Sequence, residues 1–161
     1  LVDSIPIDNG GGFWGSYVVR FSPDGKRIFS LTKSYSEEYI WGCSRLVVTD
    51  IATKKVLHNQ TYSSGKMLEL TRDGKYYIVG LELPYDSDND DPYGKYYVCD
   101  ASSYETKYLI YPAEEFDEEY RRSYPKRMKI SQDNKLYFSN WKKKVKVYDL
   151  EDEAKEPLDS S

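Results

Sequence analysis

Three times along the chain, a short alternation of apolar and polar residues runs into a polar turn and out into a second alternation. The copies are YVVRFS-PDG-KRIFSLT, KMLELT-RDG-KYYIVGL and KRMKIS-QDN-KLYFSNW. A period of two on both sides of a turn signal predicts paired antiparallel strands, so each copy reads as a β-hairpin. The turns carry the stronger part of the signal. A tight loop of this kind commonly finishes on one residue at positive φ, where a Cβ is penalised, and the residues there are Gly25, Gly74 and Asn134. Asn tolerates the left-handed region better than other residues with a side chain, so the one departure from glycine is the one the backbone permits. Asp24, Asp73 and Asp133 stand just before and are expected to bond back to nearby backbone, while Pro23 presets φ early in the first turn.

A second pattern follows each hairpin: LVVTDIATKKVL, YYVCDASSYETKYLI and VKVYDLEDEAKEPL. Each is a β-prone run ending in Asp50, Asp100 or Asp149, then a polar turn, then the makings of a further strand. These aspartates recur at about 50 residues, and the hairpin aspartates at about 49 and about 60. The extra residues of the longer interval fall at Ala113 to Tyr124, outside the strands. A period near 50 residues holding four strands is the signature of a propeller blade. The expected fold is therefore all-β, with about three four-stranded antiparallel sheets, each hairpin being the inner half of one blade. The expected organisation is a leading segment over 1–16 that could lend an outer strand to a neighbouring blade, then blade one over 17–64 and blade two, with acidic loops, over 65–124. Blade three follows over 125–161, its outer strand incomplete.

The combination FSPDGKRIF…LVVTDIATKKV resembles the YVTN and TolB-like propeller repeats, and KLYFSNWKKKVKVYDL resembles the same pattern with a short middle hairpin. The resemblance runs from about Tyr17 to Leu158 and implies a propeller fold while saying little about function. WD-repeat proteins are similar in pattern, but the Trp of their Trp-Asp pair is replaced here by Thr49, Cys99 and Tyr148, and no Gly-His pair precedes the blades.

Composition agrees with the strand reading. Tyr occurs 17 times and aromatics make up 16% of the chain, which favours pleated, half-buried surfaces over helices. Within AEEFDEEYRRSY, Ala113 to Tyr124, only Phe116 and Tyr120 keep a helical spacing, so a loop with at most a short helix is expected. No apolar run is long enough to span a bilayer and no charged-then-apolar leader is present, so a soluble chain is expected. Closed propellers usually have four to eight blades. Three alone would leave two apolar end faces, so the blades are expected to belong to a longer propeller or to close with partner chains, for instance two copies giving six blades.

Candidate chemistry is sparse. The single histidine, His58, lies on the predicted outer strand KKVLHNQ, and no Gly-x-Ser-x-Gly elbow occurs, so no catalytic residue and no enzyme activity are expected. Asp86, Asp88 and Asp90 alternate along YDSDNDDPYGK and could converge on a hard cation such as calcium. Asp91 stands where the calcium loop needs glycine and Tyr97 where it needs an acidic residue, so a solvated acidic loop is the simpler reading. With their strands aligned on Asp50 and Asp100, Cys43 and Cys99 fall too far apart to bridge, and they fit no zinc spacing; two free thiols suit a reducing compartment slightly better than an oxidising one. The DNGGGFWGSY segment lacks the Lys-Ser/Thr of a phosphate loop and precedes a strand, and the NQT at Asn59 to Thr61 is a glycosylation match of the kind chance supplies. No cofactor is expected.

Charge is segregated. Residues 82–119 carry 12 acidic and 2 basic side chains, whereas residues 121–147 carry 10 basic and 1 acidic, and the overall net charge of −4 conceals both. Nucleic acid is disfavoured as a partner because the acidic segment repels phosphate and strand alternation prevents the basic residues from forming one patch. A protein partner, or another copy of complementary charge, is expected instead, with Trp14, Trp141, Lys142, Lys143 and Lys144 as its contact residues. Two function classes follow. One is a protein-interaction or scaffold module; the other is the non-catalytic gating propeller of a larger hydrolase of prolyl oligopeptidase type, to which FSPDGKRIFSLT and LVVTDIAT are also similar.

Overall fold

The computed structural model describes residues 4–5, 16–36, 39–63, 65–81, 95–111, 127–139 and 145–151. Among them the regular structure is all strand: β1 (Ser16–Phe21), β2 (Arg27–Ser36), β3 (Tyr39–Asp50), β4 (Val56–Ser63), β5 (Gly65–Leu70), β6 (Tyr76–Leu81), β7 (Lys95–Asp100), β8 (Thr106–Ile110), β9 (Arg127–Ile130), β10 (Lys135–Ser139) and β11 (Val145–Asp149). They form three antiparallel meanders in chain order, β1-β2-β3-β4, β5-β6-β7-β8 and β9-β10-β11. These are propeller blades, the third with three strands among the described residues. The acidic loop around Asp86, Asp88 and Asp90, the loop expected at Ala113 to Tyr124, and nearly all of the leading segment lie outside the described residues. No described helix is long and apolar enough to cross a membrane.

Each hairpin turn is closed by the same chemistry. Gly25 and Gly74 adopt φ of 70° and 74° and Asn134 adopts 57°, so all three positions read from sequence are left-handed. Asp24 and Asp73 each accept a backbone N–H two residues on, at 3.0 Å. A hydroxyl side chain completes the loop: Ser22, Thr71 and Ser131 accept the N–H of Arg27, Tyr76 and Lys135 at 2.9, 2.9 and 3.0 Å and donate back to the same residues' carbonyls. The third loop is one residue shorter. Ser22 and Thr71 pair across to Arg27 and Tyr76, five positions on, whereas Ser131 pairs to Lys135, four positions on.

The missing residue shifts β10 by one place against the repeat pattern, and strand alternation turns that shift into a change of face. Phe29 pairs with Val48, Ile78 with Val98 and Tyr137 with Val147, so these three pairs are equivalent although the letters align Phe138 with Phe29. Phe29 and Val48 bury against the second sheet, and Ile78 and Val98 against the third.

Two cores result, one between each pair of neighbouring sheets. Phe29, Leu31, Leu46, Val48 and Tyr62 of the first sheet meet Leu68, Tyr77, Val79, Leu81 and Cys99 of the second. Ile78, Tyr96, Val98 and Ile110 of the second meet Met128, Leu136, Phe138 and Tyr148 of the third. The middle sheet thus buries both faces, which is why β6 reads as an unbroken apolar run rather than an alternation. Of the two open ends expected for three blades, one is different. On the far side of the first sheet Ile28, Ser30, Val47 and Thr49 are buried. Two hydroxyls of that face are satisfied locally, Ser30 donating to Val47 O and Thr32 to Arg45 O, each at 3.3 Å. On the far side of the third sheet Tyr137 and Val145 are 37% and 38% exposed.

Candidate functional site

The first strands of the three sheets, β1, β5 and β9, lie side by side, and a groove of about 390 Å³ runs along them. Val18, Met67, Leu68 and Met128 supply its apolar lining, and Arg20, Lys66, Glu69, Arg127 and Lys129 its charges, four cations against one carboxylate. Arg20 crosses from the first blade to the second, Nη2 donating to Glu69 Oε1 at 3.0 Å and Nε to Oε2 at 3.4 Å. That fork-to-fork geometry fixes both side chains at the groove wall. On β9 the strand alternation turns Met128 toward the second core and Arg127 and Lys129 the other way, where both are exposed.

The repeat explains how these residues come together. Arg20, Glu69 and Lys129 each stand two positions before the loop hydroxyl residue, Ser22, Thr71 or Ser131, so three inner strands in parallel place them at one level. Reading the repeats stacked rather than in line would have revealed them; contiguous charge runs do not.

At the blade junctions the groups are structural. Tyr104 sits at a positive φ of 64° and its ring stacks on His58, centroids 4.7 Å apart and 11° from parallel. Arg27 donates from Nη1 to Ala101 O and, at 3.1 Å, to the Tyr104 hydroxyl. His58 Nε2 lies 3.3 Å from Gln60 Oε1, so the imidazole is used in packing and in one hydrogen bond. In the first core, burial pushes the phenols of Tyr62 and Tyr77 far above their ordinary range, and pushes the Cys99 thiol up as well, the latter partly offset by a bond to Thr106. A thiol held neutral in this way is a poor nucleophile and a poor metal ligand. Cys43 and Cys99 are both free. No cluster of three His, Cys, Asp or Glu suited to a metal occurs among the described residues.

Of the contact residues expected from sequence, Trp14, Trp141, Lys142, Lys143 and Lys144 lie outside the described residues. The groove residues Arg20, Glu69, Arg127 and Lys129 were not singled out by the sequence reading.

No protein-family model matches the chain, and no curated protein does. Solved structures do. Hydrazine synthase from Kuenenia stuttgartiensis is similar with a TM-score of 0.58 and 18% identity, over 86% of this chain and 41% of that one. The Dos1 propeller gives a TM-score of 0.59 at 14% identity, over 91% of this chain and 33% of its own. The β-propeller domain of the Trilobed protease from Pyrococcus furiosus, described as having an open velcro topology, gives 0.59 at 12%, over 91% of this chain and 42% of its own. At such identities the likeness concerns the fold, and the fold is a β-propeller. The chain spans well under half the length of each of these proteins.

Proposed function

We propose that this chain is a non-catalytic interaction module of the YVTN/TolB-like type, part of a propeller whose remaining blades come from the same polypeptide or from a partner. The observation that carries the reading is the position of Tyr137. Its equivalents Phe29 and Ile78 are both 0% exposed because the next sheet covers them, whereas Tyr137 is 37% exposed at the same place in the third sheet. Val147 beside it matches Val48 and Val98. An exposed tyrosine in the blade-contact position of a terminal sheet, with the buried Val147 beside it, is a surface prepared for another blade.

The test is native mass spectrometry and sedimentation of the chain and of Tyr137→Glu. The reading expects dimers or larger assemblies that the substitution disperses while the far-ultraviolet spectrum stays unchanged. A folded monomer at all concentrations overturns closure by a partner chain, and a reading frame without further blades then overturns the proposal.

A second reading, a gating propeller beside a hydrolase domain, is favoured by the fold likeness to the propeller domain of a protease. Translating the reading frame past both ends discriminates: a hydrolase domain with its own nucleophile supports the second reading, and further blades alone support the first.

A further inference from the structure

We propose that the groove along β1, β5 and β9 is a docking site for an acidic peptide segment of a protein partner, a reading that rests on the interaction function above and names what the module binds. Among the described residues its lining has a cationic excess, Lys66, Arg127 and Lys129 beyond the Arg20–Glu69 pair, and this excess sits on a chain whose overall charge is −4. A carboxylate-bearing ligand therefore finds its complement here and repulsion over much of the remaining surface.

The apolar part of the lining selects a peptide over other anions. Met67 and Met128 are unbranched and adapt to varied apolar side chains, and Val18 and Leu68 extend the same surface. Each lining strand is also the first of its sheet, so one backbone edge of β1, β5 and β9 has no ladder partner among the described residues. An extended peptide can hydrogen-bond to such an edge while its alternate side chains enter the groove. Single-stranded nucleic acid needs aromatic platforms for its bases, and among the described residues no aromatic ring lines the groove. A volume of about 390 Å³ lies in the range of sites that hold a few side chains.

The experiment is fluorescence anisotropy with a dye-labelled acidic octapeptide alternating Glu with Leu. An octapeptide alternating Lys with Leu and an oligodeoxythymidine serve as the comparison ligands. The acidic peptide is expected to bind alone, and its affinity to fall steeply as salt is raised from about 0.05 M to about 0.5 M. Arg127→Glu combined with Lys129→Glu, both exposed and so compatible with folding, is expected to weaken it by about tenfold or more. Lys26→Glu with Lys55→Glu, exposed lysines outside the groove lining, should leave it unchanged. Equal binding of the oligodeoxythymidine, no peptide binding, or no response to the β9 pair overturns the proposal. Loss of peptide binding with assembly through Tyr137 intact removes this inference alone; peptide binding to a strict monomer removes the assembly reading alone.

Discussion

Asn134 donates from Nδ2 to Asp73 Oδ2 at 2.5 Å and to Glu151 Oε1 at 3.1 Å, so the left-handed turn residue of the third blade is also a hydrogen-bond bridge to the second. Glycine at this position would fit the turn better but could not reach across. The turn of the first blade approaches the second more simply: a Cβ at Gly74 would stand 3.6 Å from Pro23 Cδ. Asn134→Gly is expected to cost about 1 kcal/mol, the lost bonds to carboxylates outweighing the relief at positive φ. Asn134→Ala keeps the backbone penalty as well and is expected to cost about 2–3 kcal/mol. Urea unfolding of both variants checks the order. Asn134→Gly at wild-type stability would show that the bridge contributes nothing.

Tyr104 presents the same conflict at the outer side of the first junction. A bulky residue at φ of 64° is strained, and what holds it there is the stack on His58 and the bond from Arg27. Tyr104→Ala loses the ring and keeps a Cβ at positive φ, and is expected to destabilise by about 1–3 kcal/mol. Tyr104→Gly should be milder by about 1 kcal/mol because the strain goes with the ring. The comparison is made by thermal or urea melts. A glycine variant less stable than the alanine variant would mean that the backbone there is not strained.

Turn carboxylates set the acid limb of stability. The Ser22 hydroxyl holds Asp24 below the usual carboxylate value of 3.8, the Thr53 N–H and hydroxyl do so for Asp50, the Ser103 and Ser102 N–H groups for Asp100, and the Ser131 hydroxyl for Asp133. For Asp73 burial works upward, but the Lys75 N–H and the Asn134 amide outweigh it and the net direction is also down. A carboxylate with a depressed folded value adds stability that is present above 3.8 and lost as pH falls through the lower folded values. Unfolding midpoints in urea should therefore be level near neutrality and fall from about pH 5 downward. Asp24→Asn combined with Asp133→Asn is expected to flatten that fall. An unchanged slope in the double variant would assign the acid limb to other groups.

The fold was legible because it rests on local chemistry. The residue types at Gly25, Gly74 and Asn134 and the alternation around them are short-range signals, and three copies at a near-constant period fix the kind of sheet they belong to. The shorter third turn was not legible, since QDN-K has as many letters as RDG-K and only pairing through Lys135 exposes the missing place. With it went the equivalence of Tyr137 to Phe29. The left-handed positions Lys54 and Tyr104 carry no residue signal at all; Asp50 and Asp100, whose carboxylates bind the following N–H groups, shape the turns that contain them, and the His58 stack and the Arg27 bond hold Tyr104 in place. The groove stayed hidden because its charges are about 50 to 60 residues apart and become neighbours only when the first strands are laid side by side.

Gly80 on β6 shows how closely the second and third blades are fitted. A Cβ there would fall 2.6 Å from Cε1 and 2.9 Å from Cδ1 of Tyr96, with Met67 Cβ at 3.1 Å. Tyr96 cannot move away freely, because its ring packs edge-on against Phe138 of the third blade at 4.5 Å. Phe138 in turn packs against Tyr148 at 5.6 Å. Gly80→Ala is therefore expected to cost about 1–3 kcal/mol by overpacking, with strain passed into the second core rather than absorbed locally. Adding Tyr96→Leu should recover part of the loss, since a leucine can fold away from the new methyl, even though Tyr96→Leu alone destabilises. Such a positive coupling, measured as a double-mutant cycle in urea, separates a steric clash from a general loss of strand propensity. If the two losses simply add, the ring of Tyr96 is not what excludes a side chain at position 80.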